Sequence, residues 1–186
     1  MTASNIFKDT FTLKNDAFAA REKATKANRD KCARIAMTLD NKAVVALLRK
    51  AKVDARVFDQ DLYMCDKIAQ LAKELTREFA SAASLQEVTA VSLLTLLNFA
   101  KAQQAQRDVT LKYEHFAHAI MRTKLSDNSE SDLVALKVSA IAEVSQVRRS
   151  IKTLRDLNMM RETTKDCFAI NSESATLVAA LEKFAS

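Results

Sequence analysis

Apolar residues recur at intervals of three and four along most of this 186-residue chain, the spacing of a buried helical face. The clearest stripe is Leu62, Cys65, Ile68, Leu71, Ala72, Leu75 and Phe79, which predicts an amphipathic helix over 62–79. A second helix is predicted over 85–101, where Val88, Val91, Leu94 and Leu97 mark one face and Leu93, Leu96 and Phe99 widen it. Ser84 and Glu87 stand at capping-box spacing ahead of it. A face this wide belongs to a central helix or to one that pairs with another chain. Upstream, Val44, Leu47, Leu48 and Ala51 predict a short helix with Asp40 as its cap, after which VDARVFDQD breaks the rhythm. Residues 14–39 are Ala-rich and charged, which favours helix, and apolar positions stay sparse until Cys32, Ile35 and Leu39. The first half of that helix is expected to be exposed. Residues 1–13, with Thr, Ser and Asn between closely spaced apolar positions, read as a loosely ordered arm.

Further on, Thr110 opens a helix running to 125 that buries Phe116, Ala119 and Ile120, followed by the polar run SDNSESD at 126–132, the best loop in the chain. Leu133, Leu136, Val138 and Ile141 predict another helix, interrupted at Glu143–Val144–Ser145. The next helix, SQVRRSIKTLRDLN, turns Val147, Ile151, Leu154 and Leu157 inward and Gln146, Arg148, Arg149, Lys152 and Arg155 outward. Past Asn158 the helical period stops. Residues 159–163 and 167–171 alternate as two short strands around Thr164, Lys165 and Asp166, with Asp supplying the turn geometry that Gly usually gives.

Composition sharpens this reading. The chain has no Gly and no Pro, where average usage would supply about twenty. Phosphate loops, dinucleotide fingerprints and serine elbows all need Gly for close backbone approach, so those enzyme classes are excluded. Sheets rich in tight hairpins are disfavoured for the same reason, leaving a mainly α class. Cys32, Cys65 and Cys167 are widely spaced and form neither a disulfide framework nor a zinc pattern, as expected of a reducing, intracellular compartment, cytoplasmic or nucleoid/nuclear. No secretory or membrane-spanning segment is read, and no membrane partner is expected.

Charge is uneven. Residues 1–56 carry 13 Lys/Arg against 6 Asp/Glu, whereas 57–186 carry 16 against 17. Arg21, Lys23, Lys26, Arg29, Lys31 and Arg34 form a dense N-terminal basic patch. A second cluster, Arg148, Arg149, Lys152, Arg155, Arg161 and Lys165, faces only Asp156 and Glu162 within 145–165. Such patches attract polyanions with a steep salt dependence, although charge runs also serve as ordinary solvated helix faces.

The run VSQVRRSIKTLRDLNMMRETTKDCFAIN, residues 144–171, resembles the winged helix-turn-helix family of DNA-binding domains. The resemblance extends over about 109–172, with the helix at 110–125 as the family's first helix. It implies that Ser145, Gln146, Arg148, Arg149, Lys152 and Arg155 face or line a major groove, and that Arg161 and Lys165 meet the backbone from the wing. Arg and Lys can read guanine edges and Gln adenine. Family members commonly carry Gly where Asn158 stands, and Asn tolerates the same left-handed backbone. Many winged helices bind proteins instead, and fold does not fix function.

The expected organisation is a helical, basic region over 1–108 and a winged-helix-like domain over 109–186, with one short β-hairpin and a short C-terminal helix. Apolar faces on 62–101 suggest a homodimer reading two half-sites of duplex DNA. The expected function is a non-enzymatic DNA-binding regulator of transcription or replication, without cofactor, metal or catalytic residues. The rival class is a helical adaptor or assembly subunit whose winged helix or basic N-terminal region binds an acidic protein. His115 and His118 beside Glu114 lack a third ligand for a metal. None of the cysteines is poised as a thiolate nucleophile. Asp59, Asp61 and Asp66 resemble a catalytic cluster, but Asp59 and Asp61 stand where a helix begins, and favourable dipole interaction explains them.

Overall fold

The computed structural model describes residues 5–19, 25–105, 110–126 and 133–184. They form a mainly α fold with a small antiparallel sheet: α1 (Ile6–Ala19), α2 (Lys26–Leu39), α3 (Lys42–Lys50), α4 (Leu62–Thr76), α5 (Glu87–Gln104), β1 (Leu111–Lys112), α6 (Tyr113–Ser126), α7 (Leu133–Asp156), β2 (Met160–Thr164), β3 (Cys167–Ile170) and α8 (Ala175–Phe184). Short 3₁₀ turns at Ala55–Phe58 and Ala82–Ser84 flank α4.

The N-terminal segment is a docked helix, not a loose arm. Phe7 and Phe11, one turn apart, are buried, and Phe7 meets Phe58 edge-on at 6.0 Å. Asn5 donates from its amide to the Leu39 carbonyl at 2.6 Å, and Lys8 pairs with Asp40 at 2.7 Å, tying α1 to the end of α2. Asp40 closes α2 and does not cap α3. That cap is Asn41, whose side chain accepts from the Ala43 and Val44 amides. Cys32, Ile35, Leu39, Val44, Leu48 and Ala51 are buried as the spacing requires.

Helix α4 stops at Thr76, earlier than its apolar stripe suggested. Arg77 leaves in an extended conformation, so Phe79 falls out of helical phase and is 81% exposed. The Glu74 carboxylate holds this exit, accepting from Arg77 at 2.9 Å and from the Ser81 amide at 3.5 Å. The Ser84/Glu87 capping box does not form, because Ser84 lies in a 3₁₀ turn capped by Ser81 and α5 starts after Gln86. The buried face of α5 follows the apolar stripe in part. Val88, Leu93, Leu96 and Leu97 are buried as expected, Thr89, Ser92 and Ala100 join them inside, and Leu94 is 40% exposed. Ser92 and Thr95 tolerate burial by donating to the carbonyls of Val88 and Val91, four residues back.

The interruption expected at 143–145 is absent: α7 runs unbroken for 24 residues. Ser126 ends α6, and 127–132 of the polar run, read as a loop, lie outside the described residues. The hairpin β2–β3 forms as expected and turns at Lys165–Asp166, with Asp166 at φ 61°. Strand β1, unforeseen, adds to its β3 edge and gives the order β1–β3–β2, with Leu111 opposite Phe168. Asn158 takes φ 59° and exceeds a glycine's service there. Its amide donates to the Ala51 carbonyl at 2.9 Å, and its own carbonyl accepts from Asn171 at 3.0 Å.

Helix α8 packs against α3, α4 and α5 through Leu177 and Ala180, and the Thr176 hydroxyl donates to the Leu157 carbonyl. One hydrophobic cluster therefore draws on both parts of the chain, from Phe7 to Ala180. The faces of α4 and α5 that suggested a dimer are covered by α2, α3, α6, α7 and α8.

Candidate nucleic-acid interface

The inner side of α7 is fixed by Val147, Ile151, Leu154 and Leu157, all buried, with Ser150 and Thr153 buried between them. Thr153 satisfies its hydroxyl on the Arg149 carbonyl. This anchoring turns Ser145, Arg148, Arg149, Lys152 and Arg155 to solvent, with Gln146 half-buried at the margin. Arg161 and Lys165 are exposed on the adjoining hairpin. The outward set therefore shares one helix face and its neighbouring hairpin.

Its electrostatics differ from the sequence reading, because acids lie among the bases. Arg148 reaches Asp166 at 3.4 Å and lies 4.8 Å from the centre of the Tyr113 ring. Lys152 pairs with Asp156 at 2.8 Å, and Arg155 with Glu162 at 2.7 Å. Asp156 also accepts from Gln60 at 2.7 Å, and Glu162 from the Asp166 amide at 3.3 Å. Exposed pairs of this kind are each worth about 0–1 kcal/mol, so exchange of a carboxylate for a phosphate is inexpensive. Burial pushes the Tyr113 phenol up, against the opposing pull of Arg148, and its hydroxyl has no partner among the described residues.

Of the N-terminal patch, Arg21 and Lys23 lie outside the described residues. Lys26 and Arg29 are exposed on α2, and Arg34 pairs with the buried Asp66 at 3.3 Å. Lys31 points instead to Tyr63, with its ammonium 5.6 Å from the ring centre. The Arg149 guanidinium lies 5.0 Å from the same ring. The two basic segments, far apart in sequence, thus meet at one tyrosine on α4.

Behind that ring is a lysine the sequence did not single out. Lys67 is 2% exposed, donates to the Ser150 hydroxyl at 3.1 Å, and has its ammonium 5.1 Å from the Tyr63 centre. Ser150 lies 3.3 Å from the Thr89 hydroxyl, completing a polar seam between α4, α5 and α7. Burial first, and the Arg149 charge second, lower the Lys67 pKa from 10.5 to about 8. No local signal singles out Lys67 or Ser150, which sit among other polar residues of α4 and α7.

The remaining candidates have local roles. His115 accepts from the Lys112 amide at 3.0 Å and stacks at 4.7 Å on Phe99, while His118 is exposed. Among the described residues no three His, Cys, Asp or Glu converge to hold a metal ion. Asp61 caps α4 by accepting from the Met64 amide, Asp66 holds Arg34, and Asp59 ends the preceding 3₁₀ turn. Burial raises the Cys32 thiol, Cys65 faces the Phe58 carbonyl at 3.5 Å, and Cys167 is half-buried. Among the described residues no helix is long and apolar enough to cross a membrane. No protein-family model, curated protein or solved structure matches the chain.

Proposed function

We propose that this chain is a non-enzymatic DNA-binding protein that meets duplex DNA through the outer face of α7 and the hairpin β2–β3. The observation that carries the reading is the basic half of α7, held rigidly by a buried inner stripe and placed beside a hairpin bearing Arg161 and Lys165. The resemblance to winged helices is weakened by the unbroken α7, which removes the turn expected at 143–145; what remains of it is the succession of α6, a basic α7 and the hairpin. Ser145, Gln146, Arg148, Arg149, Lys152 and Arg155 contact the groove or its margin, and Arg161 and Lys165 contact phosphates. Self-association over 62–101 would rest on Phe79 and Leu94, the large apolar side chains exposed there.

The adaptor reading has its own support. Asp156, Glu162 and Asp166 make the same surface mixed in charge, which suits a protein partner carrying both signs.

The deciding experiment titrates labelled duplex DNA with wild type, with Arg148→Ala/Arg149→Ala and with Glu162→Gln/Asp166→Asn, at two salt concentrations. DNA binding requires weaker affinity and a shallower salt slope, by about 0.9 per lost phosphate contact, in the first variant. The second variant, relieved of two carboxylates, should bind more tightly. Absence of duplex binding by the wild type overturns the reading in favour of the adaptor.

A further inference from the structure

Three cations from three helices surround one aromatic ring. Lys31 on α2, Lys67 on α4 and Arg149 on α7 lie 5.6, 5.1 and 5.0 Å from the centre of Tyr63. The Tyr63 hydroxyl is held by Gln86 at 3.1 Å, which fixes the ring. Among the described residues none of the three cations is ion-paired with a carboxylate; the nearby Asp66 is engaged by Arg34. Lys67 is nine-tenths buried and more, and its hydrogen-bond partner is the neutral Ser150 hydroxyl.

A tyrosine face attracts cations but supplies no net negative charge, so the repulsion between Lys67 and Arg149 and the lost hydration of Lys67 are offset only by the ring and the Ser150 hydroxyl. An oxyanion resolves both. The three groups also differ in the way such a ligand requires. Arg149 is exposed, Lys31 is half-buried and Lys67 is buried, so the three cations at the ring run from solvent to interior. Arg149 lies about 100° around α7 from Arg148, at the edge of the outward face that borders Tyr63. We propose that the junction of α2, α4 and α7 around Tyr63 binds a phosphate group, with Arg149 and Lys31 holding its outer oxygens and Lys67 an inner one. The site needs no DNA to exist, because its ligand chemistry is that of any phosphate monoester or diester.

Inorganic phosphate is the first probe. Wild type, Lys67→Met, Arg149→Gln and the distant Lys42→Gln are titrated with sodium phosphate, with sodium chloride at matched ionic strength as reference, by calorimetry and thermal unfolding. The Lys67 side-chain NMR signal is followed against pH in both salts. The proposal expects phosphate to raise Tm beyond chloride in wild type and Lys42→Gln, and binding about tenfold or more weaker in Lys67→Met and Arg149→Gln. It also expects the Lys67 titration midpoint to move upward in phosphate. Equal behaviour in the two salts, or an unmoved Lys67 midpoint, overturns it. Arg149→Gln alters an exposed side chain, so the test survives any misfolding of Lys67→Met.

Duplex DNA is the second probe. If the variants that lose phosphate also lose duplex affinity, the natural source of the phosphate is a nucleic-acid backbone. If duplex affinity is kept, the source is a free phosphate ester, and the site stands. A wild type that binds phosphate but no duplex overturns the DNA reading alone.

Discussion

Replacing Lys67 with methionine should stabilise the protein at neutral pH and remove part of its pH dependence. Lys67 carries a pKa of about 8 in the fold against 10.5 unperturbed. At 1.36 kcal/mol per unit, that depression corresponds to about 3 kcal/mol of penalty for holding the buried ammonium. Methionine fills similar volume without charge but forfeits the Ser150 hydrogen bond, worth about 1 kcal/mol, and Ser150 keeps Thr89 as a partner. The net expectation is a gain of about 2 kcal/mol. The sign follows from proton counting. Below pH 8 both native and unfolded chains carry the proton, so the wild type bears the full penalty. Between 8 and 10.5 the unfolded chain alone retains it, and wild-type stability rises with pH relative to the variant. Lys67 feels the Arg149 charge and lies over Tyr63, the ring that Lys31 also approaches, and these groups are common to both proteins. Urea unfolding followed by circular dichroism, in phosphate-free chloride buffers from pH 7 to 10, measures the gap between the two. A variant less stable than wild type at pH 7, or a gap constant across the range, would refute the reasoning.

Two further substitutions test the corners of the fold. Asn158→Gly keeps the left-handed backbone and loses the bond to Ala51, so it should cost about 1 kcal/mol. Asn158→Ala adds the left-handed penalty and should cost about 2–3 kcal/mol, both read by urea unfolding. Phe7→Ala should cost about 3–5 kcal/mol if α1 is docked as described, and nearly nothing if the segment is a loose arm.

The helices were legible wherever apolar spacing coincided with burial, as at Ile35, Leu39, Val44 and Leu48, because a single face met a single core. On α5 spacing was only partly right: Val88, Leu93, Leu96 and Leu97 are buried as expected, but Thr89 and Ser92 also took core positions by hiding their hydroxyls against Ser150 and a backbone carbonyl. Hydropathy cannot foresee that exchange. Phe7 and Phe11 had the right interval, but two aromatics amid Thr and Asn carried too weak a signal to outweigh the polar background. The false break at 143–145 arose from reading Glu, Val and Ser as a turn when local propensity alone does not end a helix. The basic face of α7 was legible, being one helix repeat. Its acidic counterparts were only partly so, because Asp166 and Glu162 reach it across the hairpin. The Tyr63 junction joins residues 31, 63, 67 and 149, and no local pattern connects them.

The seating of α8 carries a consequence for how the protein is made. Ribosomal synthesis delivers the chain from its N-terminus at about 5–20 residues per second. Helices α3, α4 and α5 all contribute surface to the seat of Leu177 and Ala180. Until α8 clears the exit tunnel, that surface is open to water, and the α7–β2 corner lacks the Thr176 hydroxyl bound to Leu157. The core that α3, α4 and α5 share is therefore completed only by the last helix of the described chain to be made.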